Sequence, residues 1–566
     1  MCANVLLVHP WNYHDESLEN FNPDTSWRNG PFNIALLATI LEKNGHKVKL
    51  LDLEPALIFY KGDVGKALFY LQKEAREFRP DIIGVTFFSV HYLEVKKIVK
   101  SLRKVCEEHK LPSIFVAGGI HASVAPKTCV TELEFDYAFI GEGEIGLLEL
   151  ANGVVPSKIS GLYGYTELMG LSTNEGIPIS QTLEKAQFNK NLDELPFIDW
   201  GLTDFKFYAH PSSARLGFEK IGSLDMEMGR GCVYKCSFCA YNALSGVRFH
   251  SAEYLVEQMV FNMHAFGVNA FYFTDSTIGN NRRVIREMCE IILSRGLENK
   301  IKWLANIRSN QVNKEDLKLM WRAGCRFLFY GFESNSQRML DAMQKACSVE
   351  SNEKAALLHK ELYFPYTASM LFGFPGETEA DLYKSIDFIK RHKPPSVGIN
   401  WYVPLPGSPD YDALELAGKV IDDGPERWRR LGEVNDAVCY ADVEPARFRQ
   451  IYDEACHLAY NKIPSEVWND WRHHYELKTR SKSEPRYAHL FKNVYSYKSQ
   501  YAYPNAEASR RYGKSIQNLI WNKSAFNKQK ERLRSHVLLN KVNNPLLYKY
   551  TRKLYHFCRK FNLISE

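Results

Sequence analysis

The sequence lacks any long hydrophobic run. The longest apolar stretches in its 566 residues, such as residues 82–90, stop well short of the ~20 residues that a membrane-spanning helix needs. Residues 1–10 have no basic segment ahead of their apolar run and resemble a first β-strand, so we expect no signal peptide. No internal repeat is visible. These absences exclude a membrane-spanning protein and a repeat array, and they favour a cytoplasmic protein.

Cysteine is also scarce. Twelve cysteines in 566 residues are too few for a disulfide scaffold. Cys106, Cys289, Cys325 and Cys456 each stand alone in an apolar run, where a reduced core cysteine is expected. This usage fits a reducing cytoplasm. Only one group of three cysteines is clustered.

The net charge of +6 is small, but it is unevenly distributed. Residues 441–566 hold 24 Lys and Arg against 11 Asp and Glu, whereas the rest of the chain holds 48 against 55. A basic tail can meet nucleic acid, an acidic peptide or a membrane surface, and it can equally be a solvated surface. Because the rest of the chain is acidic and no nucleic-acid motif is present, we expect no nucleic-acid partner. We expect residues 481–566 to cap a barrel while keeping a soluble outer face, with the stems of Lys and Arg covering apolar surface.

Two stretches alternate between strand and helix patterns. Residues 1–150 predict strands over 4–9, 47–53, 81–90, 113–118 and 137–140, with helices between them. This order is typical of a doubly wound, Rossmann-like parallel sheet, which binds ligands beyond the carboxyl ends of its strands. Residues 221–420 predict six more strands, over 224–228, 270–273, 301–307, 325–332, 366–372 and 397–403. Six β/α units in a row favour a full or partial (β/α) barrel.

The remaining residues complete an α/β protein of several domains. Residues 151–220 have weak periodicity and are interpreted as a linker. Residues 421–566 are interpreted as a mainly helical, basic C-terminal domain.

The clustered cysteines are Cys232, Cys236 and Cys239, with the spacing C-x3-C-x2-C. Three thiolates on one loop can converge on a soft metal centre. Zinc would need a fourth Cys or His nearby, and His250 lies eleven residues beyond Cys239. Three cysteines suit a four-iron cluster that leaves one iron open for an outside ligand. The alternative is a zinc knuckle or three unrelated cysteines.

This loop, with aromatic Phe238 before the third cysteine, resembles the cluster-binding signature of the radical S-adenosylmethionine (SAM) superfamily. The resemblance extends over roughly residues 221–410 and includes three later motifs. They are Gly331-Phe332-Glu333-Ser334, Gly373-Phe374-Pro375-Gly376-Glu377-Thr378 and Pro404-Leu405-Pro406-Gly407-Ser408-Pro409. The resemblance implies a [4Fe-4S] cluster on the three cysteines and a SAM molecule on the open iron. It implies that Glu333 helps to hold the SAM amino group and that Gly373, Pro375 and Gly376 lie near SAM.

Simpler roles exist for several of these residues. Glu333 can be an exposed carboxylate at a strand end, and residues 373–378 can be a plain helix start, since residues 378–381 match a capping box. Asn306 and Arg308 end the strand before that of Glu333 and are candidate SAM or substrate contacts. Packing at the core or rim of the barrel is the alternative for both.

The N-terminal half resembles the cobalamin-binding domain that precedes the radical SAM domain in the cobalamin-dependent subfamily. The matching stretches are residues 31–38, 45–53, 81–85, 116–122 and 141–144. The resemblance implies cobalamin contacts at Thr86, Ser89, Gly118, Gly119, His121, Gly141, Glu142 and Gly143. Strand packing is the alternative for Thr86 and Ser89, and a loop histidine without a ligand role is the alternative for His121.

One expected motif is absent. Many cobalamin proteins carry Asp-x-His-x-x-Gly, whose histidine binds cobalt, and this chain has no such sequence. The absence fits a cobalt ion without a protein imidazole, and it fits equally a domain that has lost cobalamin.

Together these resemblances imply a cobalamin-dependent radical SAM methyltransferase. Such an enzyme methylates an unactivated carbon of a small-molecule or peptide substrate through a 5′-deoxyadenosyl radical and methylcobalamin, with an electron donor such as flavodoxin or ferredoxin. The alternative is a cobalamin-binding radical SAM enzyme that catalyses a rearrangement, cyclisation or epimerisation. An iron–sulfur electron carrier is a different class, and it would need no SAM pocket.

Overall fold

The structure is a computed structural model. It describes residues 2–11, 30–170, 183–209, 222–240, 246–421, 424, 426–431 and 438–479. The predicted capping segment from residue 481 onward lies outside the described residues.

The N-terminal domain is built on a six-stranded sheet. Its strands are β1 (Asn4–His9), β2 (Lys47–Asp52), β3 (Ile82–Thr86), β4 (Ile114–Gly118), β5 (Tyr137–Phe139) and β6 (Leu162–Gly164). They lie in the order β2-β1-β3-β4-β5-β6. The first five are parallel, and β6 pairs antiparallel with β5. The stretch predicted as a linker therefore contributes an edge strand.

Helices cover both faces of this sheet. Phe32–Lys43 and Glu144–Ala151 pack on one face, and Val64–Phe78 and Tyr92–Glu108 pack on the other. Alternate residues along β1 enter the two cores, since Leu7 faces the first pair of helices and Leu6 the second. The shorter helices are Leu53–Phe59, Ile120–Val124, Pro126–Thr131, Tyr165–Met169 and Phe205–Tyr208. The predicted doubly wound domain is confirmed.

The second domain is also built on six strands. These are β7 (Leu224–Met226), β10 (Ala270–Phe273), β11 (Lys302–Ile307), β12 (Cys325–Glu333), β13 (Tyr366–Phe372) and β14 (Ser396–Trp401). They lie in the order β14-β13-β12-β11-β10-β7 and are all parallel. The sheet is a partial barrel, one of the two forms predicted. A small antiparallel pair, β8 (Gly229–Arg230) and β9 (Arg248–Phe249), lies beside it.

Helices pack against one face of this partial barrel. They are Ala252–Phe266, Arg282–Ser294, Lys314–Arg322, Val349–Leu362 and Glu379–His392. Helix Ala252–Phe266 ends at Gly267 with φ +69°, a left-handed conformation that glycine adopts without strain. The opposite face of the sheet carries a separate apolar group of Tyr272, Leu304, Phe327 and Phe329.

The C-terminal region is helical as far as it is described. Its helices are Pro445–His457 and Ile463–Thr479, joined by the π-helical turn Leu458–Lys462. Phe448 and Trp471 enter the core of the partial barrel, so these helices close it from outside. The short helices Gln337–Ala342, Pro409–Leu416 and Glu426–Arg429 complete the fold. In the described part of the chain, no helix combines the length and the apolarity that crossing a bilayer requires.

Candidate active site

The loop of residues 228–239, which we call the cysteine loop, follows β7 and is anchored at both ends. The backbone N–H groups of Met228 and Gly229 donate to the two carboxylate oxygens of Asp275 at 2.8 and 2.7 Å. Burial raises the pKa of Asp275 to about 7. Farther along, Ser237 N–H donates to the Met343 carbonyl at 3.0 Å. The loop is therefore held at one end by the segment after β10 and at the other by the residue after the helix Gln337–Ala342.

A cation contacts one of the three cysteines. Cys236 is buried, whereas Cys232 and Cys239 are half-buried. The Arg308 guanidinium donates to Cys236 Sγ at 3.5 Å and lies 3.7 Å from the centre of the Tyr234 ring. The structure thus places Arg308, predicted as a SAM or substrate contact, against a cysteine sulfur.

The donor set fits an iron–sulfur cluster. Cys232, Cys236 and Cys239 are thiols on one short loop, and hydrogen bonds to such sulfurs tune the potential of a bound cluster. In the ranges that the structure describes, no three His, Cys, Asp or Glu side chains are grouped closely enough to hold a single metal ion.

The Arg308 guanidinium also reaches a fourth cysteine that the sequence analysis did not single out. It donates to Cys347 Sγ at 3.4 Å. Cys347 is more than one hundred residues from the cysteine loop, so no local spacing could have revealed it.

Glu333 lies at the end of β12 beside a buried lysine. Its backbone has φ +62°, and the register between β12 and β13 shifts between Gly331 and Glu333. The Lys345 ammonium donates to the Glu333 carboxylate at 2.7 Å and stands 5.6 Å from the centre of the Phe238 ring. Both charged side chains are largely buried.

This group of Glu333, Lys345 and Phe238, which we call the zwitterion patch, offers one negative and one positive charge beside the cysteine loop. Such a pair complements the ammonium and carboxylate of an amino-acid group, which is the part of SAM that chelates iron in the implied mechanism. The sequence analysis predicted Glu333 and Phe238 but missed Lys345, which belongs to no motif.

The turn at residues 373–376 is only partly open. Gly373 has φ +94°, and a Cβ there would stand 3.1 Å from the Phe448 ring, so protein atoms occupy that side. Gly376 has φ +77°, and a Cβ there would meet nothing within 4 Å. A ligand can therefore approach at Gly376 but not at Gly373. Pro375, between them, is half-buried.

A carboxylate holds this turn in place. Glu377 accepts from the Gly373 and Phe374 N–H groups at 2.7 and 3.3 Å, and burial raises the pKa of Glu377 to about 8. Asp381 accepts from the Thr378 N–H at 3.1 Å, as a capping box requires. Residues 373–378 therefore also form the start of a helix, which was the simpler role predicted for them.

Asn306 is engaged within the protein. Its side-chain amide donates to the Asp275 carbonyl at 2.8 Å, and its carbonyl accepts from the Tyr272 hydroxyl at 3.2 Å. Asn306 therefore supports the residue that anchors the cysteine loop, and its role as a direct SAM contact stays a prediction.

The carboxyl edge of the N-terminal sheet carries the glycines that the sequence analysis singled out. Gly119 has φ +90°, and a Cβ there would stand 2.8 Å from the Phe87 carbonyl and 2.9 Å from Thr86 Oγ1. Only glycine fits that approach. At Gly118 the nearest atom to a Cβ would be 3.9 Å away, so this edge has room for a ligand.

The next loop along that edge is shaped in the same way. Gly141 has φ +99° and donates its N–H to Ser123 Oγ at 3.0 Å, and Gly143 precedes the helix Glu144–Ala151. Phe88, which the sequence analysis did not propose, is 49% exposed just beyond β3. An exposed aromatic ring and small residues suit a large planar ligand such as a corrin.

His121 requires a correction. Its ring is fully buried, Nε2 is 2.8 Å from Thr128 Oγ1, and Nδ1 is 2.9 Å from Ser89 Oγ. Burial lowers the pKa of His121 to about 3, so the ring is neutral at physiological pH. Both ring nitrogens of His121 are thus engaged, one with the Ser89 hydroxyl and the other with the Thr128 hydroxyl. The structure therefore gives His121 and Ser89 a packing role.

Two indole groups are buried on one face of this sheet. In the described part of the chain, Trp11 Nε1 and Trp428 Nε1 have no hydrogen-bond partner, although both rings are buried in the apolar cluster of that face. Trp428 comes from the C-terminal region and stacks on Tyr92 with ring centres 5.3 Å apart. Buried donors without acceptors are costly, and the amide carbonyls around a corrin ring could satisfy them.

Glu142, which was predicted to contact the cofactor, forms ion pairs within the protein. Its carboxylate accepts from Arg230 at 2.6 Å and from Arg248 at 3.3 Å, and both arginines belong to the second domain. The structure directs Glu142 toward the cysteine loop.

Comparison with known proteins agrees with this geometry. Residues 226–389 match the family described as the radical SAM superfamily, and residues 29–151 match the B12 binding domain. The second domain is therefore a radical SAM domain. The same chain therefore carries a B12 binding domain followed by a radical SAM domain.

Three relatives extend the comparison. An uncharacterized methyltransferase of Pyrococcus horikoshii is 27% identical over 64% of this chain and 73% of its own length. The anaerobic magnesium-protoporphyrin IX monomethyl ester cyclase of Cereibacter sphaeroides is 26% identical over 74% of this chain and 64% of its own length. The methyltransferase TsrM of Kitasatospora setae, solved with cobalamin and a [4Fe-4S] cluster bound, superposes with a TM-score of 0.59 at 20% identity, covering 85% of this chain and 99% of TsrM. That likeness shows the shared fold.

Proposed function

We propose that this protein is a cobalamin-dependent radical SAM methyltransferase acting on an unactivated carbon of a small-molecule or peptide substrate. One observation carries the proposal: the cysteine loop contacts both cofactor regions. Phe238 lies in the zwitterion patch, and Arg230 bonds to Glu142 beside the glycines of the B12 binding domain. A single loop therefore joins the two sites that methyl transfer needs to have adjacent.

We assign a separate role to each group of residues in the proposed site. When bound, the cluster with SAM supplies an adenosyl radical, and cobalamin supplies the methyl group. Cys232, Cys236 and Cys239 hold the cluster, and Arg308 donates a hydrogen bond to one of its sulfur ligands. Glu333 and Lys345 orient the amino-acid end of SAM. These assignments rest on the donor set and on the contacts of the zwitterion patch.

The walls of the site exclude water. Tyr272, Leu304, Phe327 and Phe329 form an apolar surface on the barrel face away from the packed helices. A radical formed there is shielded from solvent, which suppresses side reactions.

The cluster must be reduced, so we propose an electron donor such as flavodoxin or ferredoxin. A reducing compartment suits this chemistry. None of the eleven cysteines in the described ranges forms a disulfide, and this supports our proposal of a cytoplasmic location.

The experiment uses the anaerobically purified, reconstituted protein with hydroxocobalamin, a reductant and SAM carrying a deuterated methyl group. We expect S-adenosylhomocysteine to form and the deuterated methyl group to appear in the protein-bound corrinoid. A folded protein with its cluster that retains cobalamin but transfers no label to it would contradict methyl transfer. The cyclisation alternative would then be favoured.

A further inference from the structure

Five charged side chains meet where the two domains adjoin. Arg230 Nη1 lies 2.6 Å from Glu142 Oε2 and 2.7 Å from Glu144 Oε1, and Arg230 Nη2 lies 2.9 Å from Glu227 Oε1. Arg248 also binds Glu142. We call this group of Glu142, Glu144, Glu227, Arg230 and Arg248 the interdomain ion cluster.

The interdomain ion cluster is largely shielded from solvent. Its side chains are between 10% and 13% exposed. Three carboxylates surround the Arg230 guanidinium, so its positive charge is compensated. Such a shielded ion pair is costly to break, because removing either partner leaves a buried charge uncompensated.

The residues of the interdomain ion cluster lie close in sequence to both proposed cofactor sites. Arg230 lies two residues before Cys232 and belongs to the short strand β8. Glu142 lies in the turn after β5 in the B12 binding domain, and Glu144 is the first residue of the helix that follows this turn. The ion pairs thus connect the turn at the proposed cobalamin edge to a residue that lies two positions before the first cysteine.

We propose that the interdomain ion cluster positions the cysteine loop relative to bound cobalamin. Glu142, Glu144 and Arg230 act as positioning residues that fix the separation between the iron–sulfur cluster and cobalt. This inference rests on the proposed function. The interaction between the domains is electrostatic, because two carboxylates of the B12 binding domain hold two guanidinium groups of the radical SAM domain.

Other contacts within the radical SAM domain also hold this part of the cysteine loop. Arg230 also binds Glu227 within its own domain, and Asp275 holds the adjoining backbone at Met228 and Gly229. These contacts fix the loop to the barrel whether or not the other domain is engaged. Removing the Glu144 carboxylate takes away one of the three ion pairs between the domains, so it should loosen their connection while leaving the loop attached to the barrel.

The test compares Glu144→Gln with the wild type and with Glu149→Gln. The first substitution keeps the shape of the side chain without its charge, and Glu149 lies on the same helix but forms no ion pair to the radical SAM domain among the described residues. Hydroxocobalamin is bound and reduced to its paramagnetic form, and pulsed electron paramagnetic resonance measures the distance from cobalt to the reduced iron–sulfur cluster. Iron content and formation of 5′-deoxyadenosine are measured in the same samples.

We expect one narrow cobalt-to-cluster distance in the wild type and in Glu149→Gln, and a shifted or broadened distribution in Glu144→Gln. Iron content and 5′-deoxyadenosine should stay within about twofold of the wild type, because the loop keeps its contacts to the barrel. An unchanged distance in Glu144→Gln would overturn the proposal. So would a parallel loss of iron and of 5′-deoxyadenosine, which would mark the ion cluster as a purely structural contact.

A second variant covers the case in which Glu144→Gln does not fold. Arg230→Lys keeps the positive charge but loses the planar fork that binds several carboxylates at once. Hydrogen exchange at residues 229–231 should be faster in cofactor-free Arg230→Lys than in the wild type, and equal rates would overturn the proposal. A wild-type protein that binds no cobalamin would instead contradict the proposed function.

Discussion

Lys345 places a positive charge beside the Glu333 carboxylate and the Phe238 ring of the cysteine loop. It is buried, it donates to Glu333, and it stands beside the Phe238 ring. A buried lysine is costly unless its charge is paired, and here the Glu333 carboxylate is the partner. We propose that this buried pair holds the amino-acid end of SAM.

Replacing Lys345 by methionine should weaken SAM binding. Hydrogen bonds to charged groups contribute about 1.5–3 kcal/mol, so we expect the dissociation constant for SAM to rise by about tenfold or more. Isothermal titration of the reconstituted protein measures it. Lys354→Met, at an exposed lysine nearby in sequence, is the control and should bind SAM normally. Equal affinity in Lys345→Met and Lys354→Met would refute the assignment.

His359 is a buried neutral histidine whose tautomer follows from its partners. Nδ1 donates to the Phe364 carbonyl at 2.6 Å, and Nε2 accepts from the Tyr330 hydroxyl at 2.8 Å. Burial lowers the pKa of His359 from 6.5 to about 4. The unfolded chain therefore binds a proton at a pH where the folded protein does not.

The pH dependence of stability follows from this shift. Between pH 6.5 and about 4, the depressed pKa of His359 makes the free energy of unfolding fall as the pH falls, by at most about 1.4 kcal/mol per pH unit. Above pH 6.5 both states are neutral at this site and the dependence disappears. His359→Gln should show a smaller loss of stability in acid than the wild type, as measured by urea unfolding at several pH values. Identical slopes would show that His359 does not cause the effect.

At the scale of elements, the turn after β4 contains two neighbouring glycines with different requirements. Gly119 has a positive φ and no room for a Cβ, whereas Gly118 has space around it. The first is needed for folding and the second is available to a ligand.

Alanine at each position should separate these roles. Gly119→Ala should lower the free energy of unfolding by about 1–3 kcal/mol, because a side chain is strained there and collides with the Phe87 backbone. Gly118→Ala should leave stability nearly unchanged and reduce the cobalamin retained through gel filtration. Urea unfolding and the corrinoid absorption bands provide the two measurements. The assignment fails if Gly118→Ala retains as much cobalamin as the wild type.

The elements themselves could largely be predicted from the sequence. Strands β1, β10 and β13 begin and end at the predicted residues, because each is an apolar run bounded by polar or turn residues. Strand β3 ends at Thr86, earlier than predicted, because the apolar run continues into the turn at Phe87 and Phe88. Strand β6 was missed because its three residues carry no clear periodicity.

The contacts between distant elements could not be predicted. The Arg230–Glu142 ion pair joins residues 88 positions apart, and the contact between Arg308 and Cys347 joins two domain segments 39 positions apart. Charged residues at such separations give no local pattern, so their pairing emerges only when the fold brings strand ends together. His121 was misjudged for the related reason that burial of a loop histidine depends on what packs over it, here Trp428.

At the scale of the whole molecule, the C-terminal region completes both domains. Phe448 packs on Gly373 of the radical SAM domain, and Trp428 packs on Tyr92 and His121 of the B12 binding domain. The region therefore packs against both domains.

The indole N–H of Trp428 should contribute to cobalamin binding. Trp428→Phe keeps an aromatic ring on Tyr92 but removes the donor that has no partner in the described ranges. We expect the variant to fold normally and to bind hydroxocobalamin about tenfold more weakly, the loss expected for one buried hydrogen bond. Unchanged affinity would show that this N–H does not face the ligand.

The central claim is that one cysteine loop serves both a SAM-bound cluster and cobalamin. The most direct measurement is an anaerobic assay that quantifies 5′-deoxyadenosine and S-adenosylhomocysteine in the same sample, for the wild type, Cys239→Ala and the half-buried control Cys456→Ala. The account predicts both products from the wild type and from Cys456→Ala, and no 5′-deoxyadenosine from Cys239→Ala, since two thiolates leave the cluster under-ligated. Formation of 5′-deoxyadenosine by an iron-free Cys239→Ala protein, or its formation without S-adenosylhomocysteine by the cobalamin-loaded wild type, would contradict it.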